Sequence, residues 1–253
     1  MSKVKLDWDI EGLQFALKEK NIIVIADTLR FSSAVTTAIA NGFTIYPVSD
    51  REKGKEFAKS IGAEISGKSE IARYSLSPKS FLNPTEKDNK KVVLYSSNGA
   101  ACAGLIKEGD IAYIGCFLNA KAVAQQVEKI SKEKNCDVTI IAAGEKRATE
   151  TGERIEYLKD ERRFRRVFDI EDYLGAGAII SFINLPKNPE AKVCQSAFKS
   201  SKNELKELLL ESFSGRYLVQ TKRREDVEWA AQLNCYNVVP VIYKGRIEKL
   251  KDR

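Results

Sequence analysis

A short apolar strand that ends in polar residues is the strongest candidate for a chemical site in this sequence. Residues 22–26 (IIVIA) are followed by Asp27, and the turn after it carries Arg30, Ser32 and Ser33. A carboxylate at the end of a buried strand can bind a metal ion, and hydroxyl and N–H groups at the start of the next helix can bind an anion. The segment therefore predicts an anion and metal site, with Asp27 and Arg30 as its central residues.

Each of these residues also has a structural explanation. By residue type, Asp27 is a suitable helix N-cap, Arg30 can pair with Asp27, and Ser32 and Ser33 can cap a helix without any ligand. The aliphatic run before Asp27 favours a site, because a buried carboxylate without a partner is costly to desolvate. We expect Arg30 to bind a phosphate group through its planar guanidinium.

Two later strands also end in polar residues. The strand predicted over 91–95 leads into SSNG, and the strand over 137–143 leads into GE. The residues concerned are Ser97, Asn98 and Gly99 in the first case and Glu145 in the second. Because the carboxyl ends of parallel strands gather at one edge of a doubly wound sheet, we expect these segments to converge on Asp27.

Strands and helices alternate along the chain with short connections. Strands are predicted at 4–6, 22–26, 43–48, 91–95, 111–114, 137–143 and 238–243. Helices are predicted at 9–18, 33–40, 51–61, 100–106, 119–132, 169–180, 201–213 and 226–233. Residues 66–89 predict a long loop, and residues 191–200 are ambiguous. The alternation is typical of a largely parallel sheet covered on both faces, in one α/β domain over residues 1–253. Whether this domain consists of two intimately packed subdomains is left open.

The composition narrows the chemistry of any site. The 253 residues include no histidine, which excludes histidine phosphatases, Ser-His-Asp and Cys-His nucleophile systems and histidine-ligated zinc. A metal must then be bound by oxygen, which indicates magnesium, manganese or calcium. The five cysteines form no CxxC pair and are expected to be buried and reduced.

The charge balance favours anionic partners. Lysine and arginine exceed the acids by 42 − 35 = 7, which suits either a small anion or nucleic acid. No apolar run is long enough to span a bilayer, and residues 1–13 lack a signal-peptide core. We therefore expect a cytoplasmic protein without a membrane partner. Known phosphate motifs, among them Cys-x5-Arg, GxxxxGK[ST] and GxGxxG, are absent from the sequence.

Five segments, in order along the chain, resemble the 2-phosphosulfolactate phosphatase family. They are DTLRFSSAVTTAIANG (27–42), SSNGAACAG (96–104), GCFLNAKAVA (115–124), AAGE with IEDYLGAGAII (142–145 and 170–180), and SGRYL with EDVEWAAQLNCYNVVPVI (214–218 and 225–242). The resemblance implies a three-layer α/β/α sandwich and a magnesium-dependent phosphatase. Such an enzyme hydrolyses 2-phosphosulfolactate to sulfolactate and phosphate, a step toward coenzyme M.

The resemblance also implies roles for individual residues. The catalytic residues would be Asp27 and Arg30, and the metal ligands would be Asp27, Glu145, Glu171 and Asp172. The substrate-binding residues would be Ser32, Ser33, Ser97, Asn98, Gly99 and Arg216. Either water attacks the phosphorus in line, or Asp27 attacks first and an aspartyl-phosphate is then hydrolysed.

Two segments depart from the family pattern. Residues 66–81 (SGKSEIARYSLSPKSF) replace a glycine-rich element and an Asn-Ser-Pro element, and the segment between Glu145 and Glu171 is longer and more basic. Both departures leave the true substrate open. The basic segment 146–168 also supports an alternative, an RNA- or nucleotide-binding protein, although few aromatic residues are interleaved with it. A family member that lost catalysis is a third hypothesis. The oligomeric state is left open, with a homodimer as one alternative.

Overall fold

Strands and helices alternate through the chain as the sequence predicts. The computed structural model describes residues 2–68, 72–148 and 164–251, with backbone only at 146–148 and 164–166. The strands are β1 (Val4–Trp8), β2 (Ile22–Ala26), β3 (Thr44–Val48), β4 (Glu64–Ile65), β5 (Lys91–Tyr95), β6 (Ala112–Ile114), β7 (Val138–Ala142), β8 (Glu145–Ala148), β9 (Phe164–Val167), β10 (Pro240–Tyr243) and β11 (Arg246–Lys249). The helices are α1 (Asp9–Lys18), α2 (Ser33–Ala40), α3 (Arg51–Ile61), α4 (Gly99–Ala103), α5 (Ala120–Lys134), α6 (Ile170–Ser181), α7 (Pro189–Ser201), α8 (Leu205–Glu211), α9 (Phe213–Gln220) and α10 (Arg224–Ala230).

Nine of the strands form one mixed, mostly parallel sheet between two helical layers. The strand order is β1-β7-β2-β6-β10-β11-β3-β5-β4, while β8 and β9 form a separate antiparallel pair. Alternate residues of β2 face opposite sides of the sheet, as expected for a strand. Ile22 and Val24 pack in a cluster with α5, α6 and α7, whereas Ile23 and Ile25 pack in a cluster with α1, α2 and α4. The predicted three-layer α/β/α sandwich is therefore confirmed.

The C-terminal hairpin reverses the strand direction across the sheet. β10 is antiparallel to β6, β11 is antiparallel to β10, and β3 is antiparallel to β11. Three antiparallel pairings in succession leave the β3-β5-β4 block running opposite to the β1-β7-β2-β6 block. The expectation that β2 and β5 end at the same edge because they run in the same direction is therefore wrong. The sequence predicts neither the hairpin nor β11, because short strands near a chain end carry a weak periodic signal.

The sheet curls around α2, which brings the ends of β2 and β5 together. These strands are five positions apart in the sheet order, which would separate them by about 24 Å in a flat sheet. Nevertheless, the Gly99 amide nitrogen after β5 lies 2.6 Å from Asp27 Oδ2 after β2. Every residue of α2 from Ser33 to Ile39 is buried, and the helix packs against β3, β10 and β11. This central helix fills the hollow of the curled sheet.

Helical segments near the C-terminus differ in extent from the sequence prediction. The ambiguous segment forms α7, because Asn188 caps it by accepting a hydrogen bond from the Ala191 N–H at 2.9 Å. The helix predicted over 201–213 ends early, since Ser212 begins α9 and accepts a hydrogen bond from the Gly215 N–H at 3.0 Å. Across the described ranges, every helix is too short or too polar to cross a bilayer.

Candidate active site

Asp27 joins two separate parts of the fold. It follows a strand whose five residues are all buried, and its own exposed fraction is 4%. Its Oδ1 accepts a hydrogen bond from the Phe31 N–H at 3.2 Å, and its Oδ2 accepts one from the Gly99 N–H at 2.6 Å. Its backbone N–H donates to Ser32 Oγ at 2.9 Å. One carboxylate oxygen therefore caps the turn and the other connects it to the loop after β5, while the catalytic role of Asp27 remains a prediction.

The two serines of the turn stabilise the turn itself. Both side chains are fully buried. Ser32 Oγ donates to the Ile25 carbonyl at 3.3 Å, and Ser33 Oγ donates to the Thr28 carbonyl at 2.8 Å. Their hydroxyl hydrogens are thus directed at the backbone, so their role as substrate ligands remains a prediction.

The loop after β5 contributes a close backbone approach and an amide side chain. A Cβ atom on Gly99 would lie 2.3 Å from Phe31 Cδ1 and 2.7 Å from Asp27 Oδ2, so only glycine fits without displacing them. Asn98 Nδ2 donates to Glu145 Oε1 at 2.9 Å, and both side chains are buried. The predicted convergence of Asp27, Asn98, Gly99 and Glu145 is therefore observed.

The start of α6 supplies two buried carboxylates with different surroundings. Asp172 Oδ1 accepts from the Thr28 N–H at 2.7 Å, and its Oδ2 accepts from the Gly144 N–H at 2.9 Å. Asp172 therefore links the segments that follow β2 and β7. Glu171 is 1% exposed, and among the described residues neither of its carboxylate oxygens has a hydrogen-bond partner. This lack of partners is unusual, since most buried polar side-chain atoms are paired.

Burial, together with the charge of neighbouring carboxylates, raises the pKa values of Glu171 and Asp172. Burial raises the pKa of Glu171, the nearby Ser214 hydroxyl opposes the shift, and the charge of Glu145 adds to it. Burial also raises the pKa of Asp172 well above its ordinary value, with repulsion from the Asp27 and Glu171 carboxylates adding to the effect. Burial and repulsion therefore disfavour the fully charged form of the cluster, and a bound cation would relieve that repulsion.

The donor set fits magnesium, although it is not a closed cage. Within the described ranges, no three acidic or sulfur side chains surround a common point. Magnesium does not require such a cage, because it usually takes one or two carboxylates and completes its shell with water and substrate phosphate. Both carboxylate oxygens of Glu171, Asn98 Oδ1 and Thr28 Oγ1 have no hydrogen-bond partner among the described residues, and they are of the hard oxygen type that magnesium prefers.

Arg30 forms an ion pair that the sequence does not predict. Its Nη1 donates to Asp226 Oδ2 at 2.7 Å, and the side chains are 18% and 4% exposed. Asp226 also accepts a hydrogen bond from Ser77 Oγ, so the 66–81 loop reaches the same pair. From sequence, Asp226 is one acid in a predicted helix. Its position within a segment that resembles the family was the only available signal of a role.

Other predicted residues lie at the margin or outside the described structure. Ser97 is half-buried beside Asn98. Arg216 is exposed, donates to the Glu211 carbonyl, and lines a surface groove of about 410 Å³ with Arg224. Its described contacts do not include the buried carboxylates, and its substrate role remains a prediction. Most of the basic segment 146–168 lies outside the described residues, so the nucleic-acid alternative is not tested.

Comparisons with known proteins agree with the resemblance seen in the motifs. The profile of the 2-phosphosulpholactate phosphatase family matches residues 10–245. The chain is 30% identical over 251 residues to a probable 2-phosphosulfolactate phosphatase of Pseudothermotoga lettingae, covering 95% of this chain and 98% of the relative. It is 28% identical over 249 residues to a probable 2-phosphosulfolactate phosphatase of Caldanaerobacter subterraneus, covering 93% of each chain. It is 26% identical over 234 residues to the 2-phosphosulfolactate phosphatase of Methanothermobacter thermautotrophicus, covering 91% of each. A profile match over nearly the whole chain establishes that this protein belongs to the 2-phosphosulfolactate phosphatase family.

Proposed function

We propose that this protein is a magnesium-dependent phosphatase that hydrolyses 2-phosphosulfolactate to sulfolactate and phosphate. Membership of the family supports the reaction class, and the name of the Methanothermobacter relative supports the substrate. The observation that carries the proposal is the group of buried carboxylates at the ends of β2 and β7, which are Asp27, Glu145, Glu171 and Asp172. Arg30 lies on the same turn as Asp27.

Charge balance supports a metal ion in this proposal. A phosphate ester carries negative charge and would be repelled by the carboxylates. Two unit charges 4 Å apart near a protein surface interact by about 4 kcal/mol. Glu171, with Glu145 and Asp172 beside it, would hold a Mg²⁺ ion that screens this repulsion and polarises a phosphate oxygen. The guanidinium of Arg30 would bind the remaining phosphate oxygens.

Asp27 has one of two roles in cleavage of the P–O bond. In the first, it orients the attacking water and the sulfolactate oxygen leaves with the bonding electrons. In the second, Asp27 attacks the phosphorus, the sulfolactate oxygen leaves, and water then hydrolyses the aspartyl-phosphate. Hydrolysis of a substrate analogue with a chiral ¹⁸O-labelled thiophosphate group in ¹⁷O-labelled water distinguishes them. Retention of configuration at phosphorus supports the covalent route with its two displacements, and inversion supports a single direct attack by water.

The first prediction is that Asp27→Asn abolishes hydrolysis. The variant keeps the side-chain shape but loses the negative charge, so we expect kcat to fall by roughly 1,000-fold or more. Asp50→Asn is the matched control, because Asp50 also caps a helix by accepting from backbone N–H groups but is exposed. Phosphate release is measured with 2-phosphosulfolactate and a panel of other phosphorylated 2-hydroxy acids.

The same assay tests the metal and the substrate. After treatment with EDTA, activity should be lost and should return when MgCl₂ is added. Near-normal turnover by Asp27→Asn would overturn the assignment of the site. Faster hydrolysis of another phosphorylated 2-hydroxy acid would keep the reaction class and replace the substrate. Comparing substrates is useful because the 66–81 loop departs from the family pattern.

A further inference from the structure

Three segments distant in sequence meet at one buried carboxylate, Asp226. Its side chain is 4% exposed. Its Oδ2 accepts from Arg30 Nη1 at 2.7 Å, and its Oδ1 accepts from Ser77 Oγ. The two donors lie 196 and 149 residues away in sequence, one on the turn after β2 and the other on the 66–81 loop. Each oxygen of Asp226 therefore has a donor from a different element, which restrains its position from two directions.

The helix that carries Asp226 is firmly attached to the rest of the fold. Val227 and Ala230 of α10 are fully buried. The indole Nε1 of Trp229 donates to Thr37 Oγ1 of the central helix α2 at 3.2 Å. α10 also packs against the turns at Thr28–Ser32 and Pro78–Phe81. Asp226 is thus a fixed anchor for whatever it binds.

A guanidinium held at one nitrogen by a fixed carboxylate has its direction largely determined. Arg30 is partly exposed at 18%, whereas its partner carboxylate is almost completely buried. Because Arg binds phosphate through a rigid planar fork, its usefulness depends on the plane in which the fork lies. A long side chain without such an anchor would lose this preorganisation.

We propose that Asp226 is a positioning residue that holds the Arg30 guanidinium in place for the substrate phosphate and couples it, through Ser77, to the 66–81 loop. This inference rests on the phosphatase function proposed above. The 66–81 loop would then affect the substrate in two ways, by direct contact and through Arg30. A shift of Ser77 would be transmitted to Arg30 through the carboxylate of Asp226 that both residues bind.

The test compares Asp226→Asn with Glu225→Gln. Asparagine keeps the shape of Asp226 but removes its charge and replaces one acceptor by a donor. Glu225 is the matched control, because it lies next to Asp226 on α10, pairs with Lys79 of the same loop, and is exposed at 71%. We expect kcat of Asp226→Asn to fall about 10- to 100-fold, as for a lost hydrogen bond to a charged group. Glu225→Gln should stay within about threefold of wild type, as expected for an exposed pair.

The pattern of the loss separates positioning from a general structural role. Asp226→Asn keeps the charge of Arg30, so the inhibition constant for inorganic phosphate should change less than about threefold. Arg30→Ala should raise this constant, because phosphate then binds more weakly. In the Arg30→Ala background, Asp226→Asn should cause no further loss of kcat, because the residue it positions is gone. Equal losses in both backgrounds would overturn the inference, as would a kcat of Asp226→Asn equal to that of the control.

A measurement that needs no turnover separates this inference from the proposed function. In NMR spectra of ¹⁵N-labelled protein, the Arg30 Nη1–H signal, from the nitrogen that donates to Asp226, is identified by its absence in Arg30→Lys. We expect it to be slowly exchanging in wild type and in Glu225→Gln, and to exchange rapidly in Asp226→Asn. If the signal exchanges rapidly only in Asp226→Asn, but the protein hydrolyses no phosphate ester, the proposed function is refuted and the positioning role is kept. An unchanged signal in Asp226→Asn would refute the positioning role even if the enzyme is active. If Asp226→Asn does not fold, Ser77→Ala replaces it, with an expected kcat loss of about 3- to 10-fold.

Discussion

The contact between Gly99 and Asp27 is the most sensitive point of the site to a small change. Gly99→Ala adds one methyl group where a Cβ atom would lie 2.3 Å from Phe31 Cδ1 and 2.7 Å from Asp27 Oδ2. Phe31 is fully buried and Asp27 is 4% exposed, so neither can move into solvent. The loop after β5 must therefore retreat, which breaks the 2.6 Å hydrogen bond from the Gly99 N–H to Asp27.

The size of the effect follows from two contributions. Overpacking a tight site by a methyl group costs about 1–3 kcal/mol. Loss of a hydrogen bond to an ionised group costs about 1.5–3 kcal/mol. Because the two are coupled at one site, we expect the free energy of unfolding to fall by about 3–5 kcal/mol. For a chain of this size, that corresponds to a melting temperature lower by roughly 10 °C. Activity should fall as well, because Asp27 loses a restraint.

Gly104→Ala is the matched control for this prediction. Gly104 ends the same short helix, has a helical φ of −67°, and its nearest atom to an added Cβ would be at 3.4 Å. We expect this change to be neutral or to stabilise the protein by about 0.4–1 kcal/mol. Urea denaturation followed by tryptophan fluorescence measures both variants. A Gly99→Ala variant within about 1 kcal/mol of wild type and with normal activity would refute the reasoning, since the close approach would then be dispensable.

Two further predictions concern charged groups. Glu171→Gln should raise the unfolding free energy of the EDTA-treated protein by roughly 1–2 kcal/mol while lowering activity, because it replaces a carboxylate whose charged form is disfavoured by burial and by the charge of Glu145; a less stable variant in urea denaturation would contradict this. Asp137→Asn should destabilise the protein by about 1 kcal/mol at pH 7. Burial alone would raise the pKa of Asp137, but hydrogen bonds from Lys5 and from the Lys3 N–H outweigh it and leave the pKa lowered. Stabilisation from a lowered carboxyl pKa is present above the ordinary value of about 3.9 and is lost as the pH falls below it, so the difference between the two proteins should persist to about pH 4 and shrink toward pH 3. An undiminished difference at pH 3 would show another cause.

Local features of the fold were predictable because they depend on neighbouring residues. The apolar run of residues 22–26 predicts β2, and the alternation of predicted strands and helices around it indicates a helix after the strand. Gly62 is correctly predicted to end α3, and its φ of 62° lies in the left-handed region that glycine adopts at helix ends. The predicted end of the helix over 201–213 is wrong, since Ser212 is the N-cap of a new helix rather than a residue inside the predicted one.

The site was predictable in composition but not in its connections. The absence of histidine and the polar residues after β2, β5 and β7 indicate an oxygen-based site, and the structure brings Asp27, Gly99 and Glu145 together. The cause of this convergence is the expected one for β7, which is parallel to β2. It differs for β5, which runs opposite to both, so the curled sheet rather than a shared edge brings its end to the site.

The sequence by itself indicated an oxygen-based site, the alternation of most strands and helices, and the family to which the chain is similar, because these are recorded in composition and in short-range spacing. Only the tertiary structure decided that Arg30 binds Asp226, that Asp172 accepts hydrogen bonds from two backbone N–H groups, and that neither oxygen of Glu171 has a hydrogen-bond partner among the described residues. Such differences between chemically similar residues arise from contacts between segments more than a hundred residues apart. They depend on how the hairpin β10–β11 and the central helix α2 shape the sheet.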